Sequence, residues 1–372
     1  MEIEKEGKEE KEEKEEKEEK EKKENHSLPT FSVYDKIINC HSDTISSISF
    51  TNEKCDKKIL ATGSNDKFIK LFEINSDNNI NENNPSDENK KIKEIWKYQY
   101  HIYGINKIKF NKDNKYLLSG GNDLQVNMVD INSQSLLRNF RLDSIVTSLD
   151  INYSNNILAI ATYDYLMYLF DIRSRSCICK ITCHSEPITD VKFSNDSTVI
   201  YSTSYDSFFR IWDLFRFSAL KTFSFENSPS INNILLLENE NYVLLNNFNS
   251  SLEIMDIVNE EQIKKFTGHK HRNYYTDCCL YTYFNDKKQN DLIFTGDEEC
   301  NLCFYNVRDD GEKCNKIPLK DYIKIDNNNK LPLVVNCLDI YNSSDNNIQE
   351  NLIACSIFGD LNNSVLLMKQ NQ

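Results

Sequence analysis

The chain has 372 residues, 39% of them hydrophobic, which is enough for one large domain with a sizeable buried core. Its formal net charge of −14 at pH 7 argues against a broad basic surface for direct binding of nucleic acid. It contains no run of about 18 apolar residues, so no membrane-spanning helix is expected, and its 12 cysteines without a secretory signal favour a reducing compartment over a disulfide framework.

The first residues form a charged segment. Residues 1–24 contain 13 Glu and 8 Lys and carry a net charge of −5, which leaves −9 for the rest of the chain. A segment without an apolar face cannot compensate the entropy that it loses on ordering. We therefore expect a disordered charged tail over residues 1–26 and a folded part over residues 27–372.

Six later stretches share a polar turn followed by an apolar run. They are SNDKFIKLFEI (64–74), GNDLQVNMVDI (121–131), TYDYLMYLFDI (162–172), SYDSFFRIWDL (204–214), NFNSSLEIMDI (247–257) and DEECNLCFYNV (297–307). The turn residue falls at Asp66, Asp123, Asp164, Asp206, Asn249 and Glu299, and three of the five intervals are close to 42 residues. The two longer intervals contain polar segments, an Asn-rich one at 75–93 and a shorter one at 284–291, which we predict to be inserted surface loops.

A histidine precedes four of these stretches, at His41, His101, His184 and His269. A period of about 40 to 45 residues with an upstream His and a final aromatic-Asp pair is typical of WD repeats, each of which forms a four-stranded propeller blade. In the fourth repeat we predict a hydrogen-bond network of His184, Asp206, Ser202 or Ser204, and Trp212. A catalytic Asp–His pair is disfavoured because the same pairing recurs in several repeats.

A seventh unit is expected at residues 334–369, where the His is missing but strand-like runs remain. Residues 29–41 have strand character and can supply the outer strand of the last blade, which protects the ring from opening at an unpaired edge. The sequence thus predicts an all-β fold, a seven-bladed WD-repeat β-propeller closed by an N-terminal strand, with the insertion at 75–93.

Neither the cysteines nor any catalytic motif points to an enzyme. Cys300 and Cys303 form a CxxC pair, and Cys177, Cys179 and Cys183 cluster, but no second pair follows at the spacing of a zinc site. We predict buried thiols in strands, since the spacing of Cys177 and Cys179 suits one face of a strand. No Gly-rich phosphate loop, GxSxG or HExxH motif occurs, so neither catalysis nor a cofactor or metal is expected.

The segment CHSEPITDVKFSNDSTVIYSTSYDSFFRIWD (183–213), followed one repeat later by KKFTGHKHRNYY (264–275), resembles the seven-bladed scaffold subunit of COMPASS-like (SET/MLL-type) histone H3 lysine methyltransferase complexes. The resemblance covers residues 29–369. It implies a non-catalytic protein–protein interaction scaffold, located in the nucleus with a cytoplasmic pool. Its partners would be the methyltransferase, the core subunits of the complex and the histone H3 tail, with no direct contact to nucleic acid and none to a membrane.

The resemblance implies a first peptide site at the mouth of the central channel, where the family binds an arginine between two Phe rings. Thr147 and Asp277 stand at the two Phe positions, so ring stacking and cation–π attraction are lost, although Asp277 offers a carboxylate to an arginine. The alternative is a polar, water-filled channel. The lining implied for this chain is Ser46, Asn65, Asn106, Asn122, Thr147, Tyr163, Thr189, Tyr205, Asn232, Tyr275 and Asp277.

The resemblance implies a second site, a cleft on the side of blades five and six that binds an acidic-apolar peptide of a partner subunit. Tyr242 and Ile254 would form its apolar floor, Lys264 would supply the cation, and Asn239 would complete it. The alternative is that these are ordinary surface residues of two strands.

Other functions stay open at this point. In LFDIRSR, Arg173 lies two residues after Asp171, which is similar to the box by which substrate receptors of cullin-type ubiquitin ligases dock on their adaptor. A generic WD-repeat scaffold in splicing or trafficking is a further alternative. The sequence does not decide between the methyltransferase scaffold itself and a diverged paralogue, nor which peptide fills the channel.

Overall fold

A computed structural model describes residues 28–52, 57–75, 91–224, 230–237, 240–285, 288–308, 314–323, 332–342, 351–359 and 363–371. The tail predicted over residues 1–26 and most of the insertion predicted at 75–93 lie outside these residues. The chain divides into a small unit, Met1–Ser32 with Gln370–Gln372, and a large unit, Val33–Lys369. Within the small unit, Asn371 N donates a hydrogen bond to Thr30 O at 2.8 Å.

Strand β1 (Phe31–Ile37) comes first, and six groups of four strands and one group of three follow it in chain order. Blade one comprises β2 (Ile45–Phe50), β3 (Lys58–Ser64), β4 (Ile69–Ile74) and β5 (Ile92–Tyr98). Blade two comprises β6 (Ile105–Phe110), β7 (Tyr116–Gly121), β8 (Gln125–Asp130) and β9 (Ser135–Arg141). Blade three comprises β10 (Val146–Ile151), β11 (Ile157–Thr162), β12 (Leu166–Asp171) and β13 (Cys177–Thr182).

Blade four comprises β14 (Ile188–Phe193), β15 (Val199–Ser204), β16 (Phe208–Asp213) and β17 (Ser218–Ser224). Blade five comprises β18 (Ile231–Leu236), β19 (Tyr242–Asn247), β20 (Ser251–Asp256) and β21 (Glu261–Thr267). Blade six comprises β22 (Cys278–Asn285), β23 (Lys288–Gly296), β24 (Asn301–Asn306) and β25 (Asn315–Pro318), followed by the 3-10 helix η1 (Lys320–Tyr322). Blade seven contains β26 (Val334–Tyr341), β27 (Leu352–Phe358) and β28 (Val365–Gln370).

The seven sheets form a closed ring. The first strands of successive blades contact one another in the order β2, β6, β10, β14, β18, β22, β26 and again β2. The last sheet has the strand order β1-β28-β27-β26, so β1 is the outer strand of blade seven. This arrangement confirms the predicted all-β, seven-bladed propeller closed by an N-terminal strand. Within the described residues, no helix has the length and apolar character that a membrane crossing needs.

Burial explains why short apolar runs become strands here. The middle strands of a blade are covered on both faces by the neighbouring blades, and β11 (ILAIAT) is buried at five of its six positions. Such β-branched and small apolar residues suit a two-sided pleated layer. The outer strand β13 is mostly exposed. Between blades three and four, Leu169, Val191 and Trp212 belong to one apolar cluster.

Three sequence predictions were wrong in detail. The segment 284–291 was predicted to be a loop, but β22 and β23 extend through it, with Asn285 paired to Lys288; antiparallel pairing uses the backbone, so polar side chains do not prevent it. The insertion predicted at 75–93 overlaps the start of β5, which begins at Ile92. Cys177 is exposed and Cys179 half-buried, since β13 is the outermost strand of its blade, whereas Cys183 is buried.

Candidate functional site

The fourth blade contains a complete polar network. His184 Nδ1 lies 3.0 Å from each carboxylate oxygen of Asp206, and His184 Nε2 lies 2.8 Å from Ser202 Oγ. Trp212 Nε1 donates to the same Ser202 Oγ at 2.8 Å. Ser204 is not the bridging hydroxyl, because its Oγ donates to Glu186 O at 2.9 Å. Burial alone would raise the pKa of Asp206, but hydrogen bonding to His184 and its charge hold this pKa well below the usual range.

Blades one and two repeat the His–Asp contact. His41 Nδ1 lies 2.9 Å from Asp66, and His41 Nε2 lies 2.8 Å from Thr62 Oγ1. His101 Nδ1 lies 2.9 Å from Asp123, and its Nε2 contacts Ser119. Three blades thus have the same pairing in buried positions, which is the pattern of a stabilising network rather than of one catalytic centre.

Blade six departs from this pattern. His269 Nδ1 lies 2.9 Å from the hydroxyl of Tyr305, which stands at the position of Trp212. The turn residue Glu299 pairs instead with Lys270. Asp297 supplies a fully buried carboxylate in this blade and forms an ion pair with Lys316 at 3.1 Å. Within the described part of the chain, no group of three or more His, Cys, Asp and Glu side chains is placed to hold a metal ion.

A cavity of about 370 Å³ opens where the first strands of the blades begin, and we call it the upper channel cavity. The implied lining residues that border it are Ser46, Asn65, Asn106, Thr147, Thr189, Tyr205 and Tyr275. Asn122 borders an adjacent depression with Tyr103. Asn232 is fully buried, and Asp277 borders a different cavity at the opposite ends of the same strands.

Many of these polar side chains form hydrogen bonds to the neighbouring blade of the propeller. In five junctions a side chain on the first strand of one blade donates to a carbonyl of the next blade. The pairs are Ser46 to Ile105 O, Asn106 to Val146 O (2.7 Å), Thr189 to Ile231 O (2.7 Å), Asn232 to Thr276 O (2.6 Å) and Asn336 to Ile45 O (2.6 Å). Thr147 Oγ1 is buried and has no hydrogen-bond partner among the described residues. The lining therefore connects neighbouring blades, and few of its donors are left for a guest.

A lysine of the chain itself lies inside the channel. Lys107 Nζ is 3.5 Å from the carboxylate of Asp277 and 5.9 Å from the ring centre of Tyr275. The hydroxyl of Tyr275 donates to Asp277 at 2.7 Å. Burial opposes the charged form of Lys107, but Asp277 and Asp190 together raise its pKa. Asp277 is thus already paired with a cation. Sequence reasoning missed Lys107, although its place in the middle of β6 (INKIKF) was a signal.

Exposed aromatic side chains lie at the mouth of the upper channel cavity, which Tyr205 borders, and at the adjacent depression, which Tyr103 borders. Tyr103, Tyr163 and Tyr205 are 60%, 57% and 43% exposed. The ring of Tyr205 stacks on Phe248, with ring centres 5.6 Å apart. Exposed aromatic rings that are close together are typical of protein-binding surfaces. Tyr103 and Phe248 were not among the predicted residues, although Phe248 directly precedes the turn residue Asn249 just as Tyr205 precedes Asp206.

In the expected side cleft, the side chains are more buried and more engaged with the propeller than an open binding surface would require. Ile254 is only 3% exposed and lies in an apolar core cluster, against which the half-buried Tyr242 packs. Lys264 Nζ donates to Val307 O of blade six at 2.9 Å. Asn239 lies outside the described residues. Ile254 is therefore part of the core rather than an open floor.

The contact of Lys264 is not unique to blades five and six. In blade four, Lys221 Nζ donates to Ile257 O of blade five at 2.9 Å. In blade two, Arg138 Nη1 donates to Arg173 O of blade three at 3.0 Å. All three cations follow the bulge of an outer strand. We call these contacts the outer ties.

Comparison with known proteins finds WD repeats in this chain. The family described as WD domain, G-beta repeat matches residues 33–73, 92–130 and 175–213. Each match begins in the outer strand of one blade and covers the first three strands of the next. One sequence repeat therefore contains the outer strand of one blade and the first three strands of the next. In the same way, β1 supplies the outer strand of blade seven.

Several characterised proteins are similar to this chain. WD repeat domain-containing protein 83 homolog of Dictyostelium discoideum is 22% identical over 304 residues, 73% of this chain and 85% of that protein. COMPASS component SWD3 of Saccharomyces cerevisiae is 25% identical over 175 residues, 45% of this chain and 55% of that protein. U3 small nucleolar RNA-associated protein 21 of the same yeast is 30% identical over 118 residues, 32% of this chain and 13% of that protein. The chain spans about half or less of the two yeast proteins.

Proposed function

We propose that this seven-bladed WD-repeat protein is a non-catalytic scaffold of a nuclear histone H3 lysine methyltransferase complex. The propeller fold typically presents binding surfaces to protein partners. Similarity to COMPASS component SWD3 supports the choice of complex. The methyltransferase and its core subunits are the proposed partners, and the histone H3 tail is the proposed additional ligand.

The observation that carries this proposal is the aromatic mouth of the upper channel cavity. Tyr205 borders this cavity, and Tyr163 holds the equivalent exposed turn position in blade three. Asp43, in the segment before β2, and Glu186, in the segment before β14, are exposed and negatively charged. Aromatic faces attract cationic side chains, and carboxylates pair with them. A basic peptide is therefore the ligand with the best chemical match.

The first test is purification of the tagged protein from nuclear extract at moderate and high salt, followed by mass spectrometry. Co-elution of SET-domain methyltransferase subunits is the expected result. Recovery of small nucleolar ribonucleoprotein subunits instead would overturn the choice of complex while leaving a nuclear scaffold in place. Recovery of a cullin adaptor, lost on Arg173→Ala, would assign the protein to the ubiquitin-ligase alternative.

A variant tests the mouth itself. Tyr163→Ala with Tyr205→Ala removes two exposed rings, and we expect at least tenfold weaker binding of a histone H3 tail peptide, measured by fluorescence anisotropy. Phe215→Ala is the matched control, because Phe215 is 77% exposed in the turn at the other end of blade four. Equal peptide affinity in the double variant and the control would contradict a peptide site at the mouth.

A further inference from the structure

One cysteine of the CxxC motif in blade six has a thiol partner outside the motif. Cys303 lies on β24 and is fully buried. It is hydrogen-bonded to Cys314, which directly precedes the outer strand β25. Cys314 is half-buried and packs against the apolar cluster that contains Cys303 and Tyr305. A buried thiol and a partly accessible thiol therefore lie side by side in this blade.

The strand register places the two thiols on one face of the sheet. Cys303 on β24 pairs with Lys316 on β25. Side chains alternate along a strand, so Cys314, two residues before Lys316, faces the same side as Cys303. The paired residues of β25 begin at Asn315, so the backbone of Cys314 lies just outside the ladder and can move toward β24. A local movement is then sufficient to bring the two sulfurs to bonding distance.

The surroundings of Cys314 favour its thiolate. The hydrogen bond from Cys303 lowers the pKa of Cys314; burial opposes this shift, and the hydroxyl of Tyr305 and the charge of Lys316 add to it. Lys316 also pairs with Asp297 at 3.1 Å, and this carboxylate offsets part of the lysine charge. The hydrogen bond to Cys314 and burial raise the pKa of Cys303. The pair thus combines an accessible nucleophile with a protonated thiol beside it.

A thiolate in contact with a second thiol can be oxidised by a hydroperoxide to a disulfide. We propose that Cys303 and Cys314 are a redox-sensitive modification site, which closes to a disulfide when the protein meets hydrogen peroxide and reopens with a thiol reductant. The bond would fasten the start of β25 to β24 at the outer edge of blade six. This site goes beyond the proposed scaffold function and does not depend on it.

The oxidation takes place in two balanced steps. The Cys314 sulfur attacks one peroxide oxygen, the O–O bond breaks, and the departing hydroxide combines with the proton that Cys314 released to form water. Cys314 is then a neutral sulfenic acid, so the negative charge that raised the pKa of Cys303 is gone. The Cys303 sulfur attacks the Cys314 sulfur, the S–O bond breaks, and the hydroxyl leaves with the Cys303 proton as a second water. Two thiols are oxidised and one peroxide is reduced.

Counting thiols in the reduced full chain, before and after hydrogen peroxide, tests the proposal. We expect the loss of two of the 12 free thiols, measured in urea, and their recovery with dithiothreitol. Mass spectrometry of the non-reduced digest should find Cys303 linked to Cys314. Before oxidation, iodoacetamide at pH 7 should alkylate Cys314 about tenfold faster than Cys177, because burial raises the pKa of Cys177.

Three variants separate the roles of the thiols. Cys314→Ser should lose no thiols to peroxide. Cys303→Ser removes the second thiol, so dimedone should trap a sulfenic acid on Cys314. Cys177→Ser is the matched control and should still form the disulfide, because Cys177 is exposed on the outer strand of another blade.

The same measurements identify the results that would overturn the site. An unchanged thiol count, a linkage between other cysteines, or equal alkylation rates at Cys314 and Cys177 would each do so. The digest of the natural chain decides the question even if a serine variant unfolds.

Discussion

At the scale of single residues, Trp212 is the side chain whose contribution can be isolated most directly. Its Nε1 donates to Ser202 Oγ, which also contacts His184. Other blades have Phe72, Val129, Phe170, Met255 and Tyr305 at this position. Of these, Phe72, Val129, Phe170 and Met255 fill volume without a hydrogen-bond donor, so blade four has a polar connection that those blades lack.

We expect Trp212→Phe to lower the free energy of unfolding by about 1 to 2 kcal/mol, since it removes one buried hydrogen bond and part of a ring. Ser202→Ala should lower it by about 2 to 4 kcal/mol, because Trp212 and His184 both lose their partner. Urea unfolding followed by circular dichroism measures both values. The double variant should lose less than the sum; strict additivity would contradict a shared network.

The buried histidines of blade six predict a loss of stability in acid. Burial lowers the pKa of His269 to about 4, and burial with the charge of His269 lowers that of His271 to about 4. In the unfolded chain each pKa is near 6.5. Since the folded state resists protonation, the stability contributed by the neutral rings is complete above pH 6.5 and is lost as the pH falls towards 4.

Between pH 7.5 and pH 5 we expect a loss of about 2 kcal/mol for each histidine in the free energy of unfolding. Urea titrations at the two pH values measure it. His271→Gln should show a smaller loss than the natural chain. Identical midpoints for the natural chain at both pH values would contradict the depressed pKa values.

At the scale of strands and blades, the outer ties distinguish a structural lysine from a binding one. Lys221 and Lys264 donate to equivalent carbonyls of the following blade. If the only role of Lys264 is to connect two blades, Lys221→Glu and Lys264→Glu should each lower the free energy of unfolding by about 1 kcal/mol. The two variants should then recover the same amounts of partner proteins. Thermal unfolding and quantitative co-purification measure the two properties.

The two readings of Lys264 give different results in this comparison. Loss of a partner subunit in Lys264→Glu but not in Lys221→Glu, at equal melting temperature, would assign Lys264 to the proposed side cleft. Retention of all partners in Tyr242→Ala with Lys264→Glu would remove that cleft from the partner-binding surface. Lys221 is a fair control because it lies one blade away at the same strand position.

The repeat pattern predicted the blades because each one reuses the same turn and apolar run. Strand pairing through 284–291 was not predictable from composition, since the backbone makes that hairpin. The interior position of Lys107 and the ties of Lys264 were missed for a related reason. Lys107 pairs with a carboxylate of another blade and Lys264 donates to a carbonyl of another blade, and a single repeat does not contain its neighbour's geometry.

At the scale of the whole molecule, ring closure depends on β1. Ile37 is buried in the cluster that includes Val365 and Leu367 of β28. We expect removal of residues 1–27 to leave the melting temperature unchanged. Removal of residues 1–37 exposes the edge of β28 and should lower the melting temperature by several degrees or cause aggregation.

Differential scanning calorimetry with size-exclusion chromatography measures both truncations. The shorter truncation is the control, because it removes the charged segment and keeps β1. If the chain without β1 has the same melting temperature as the natural chain and stays monomeric, closure by the N-terminal strand adds little to stability.

Lys107 also has a consequence for selectivity in the channel. Its ammonium is attached to the wall beside Asp277, so it acts as a tethered competitor for every basic guest. A tethered group has an effective concentration of about millimolar or higher, far above that of most free ligands in a cell. A single basic side chain would therefore compete for Asp277 with the chain's own lysine. A peptide bound at the proposed channel site would have to gain its affinity from the aromatic rim before it could displace Lys107, and the channel would then select for peptides that engage both levels.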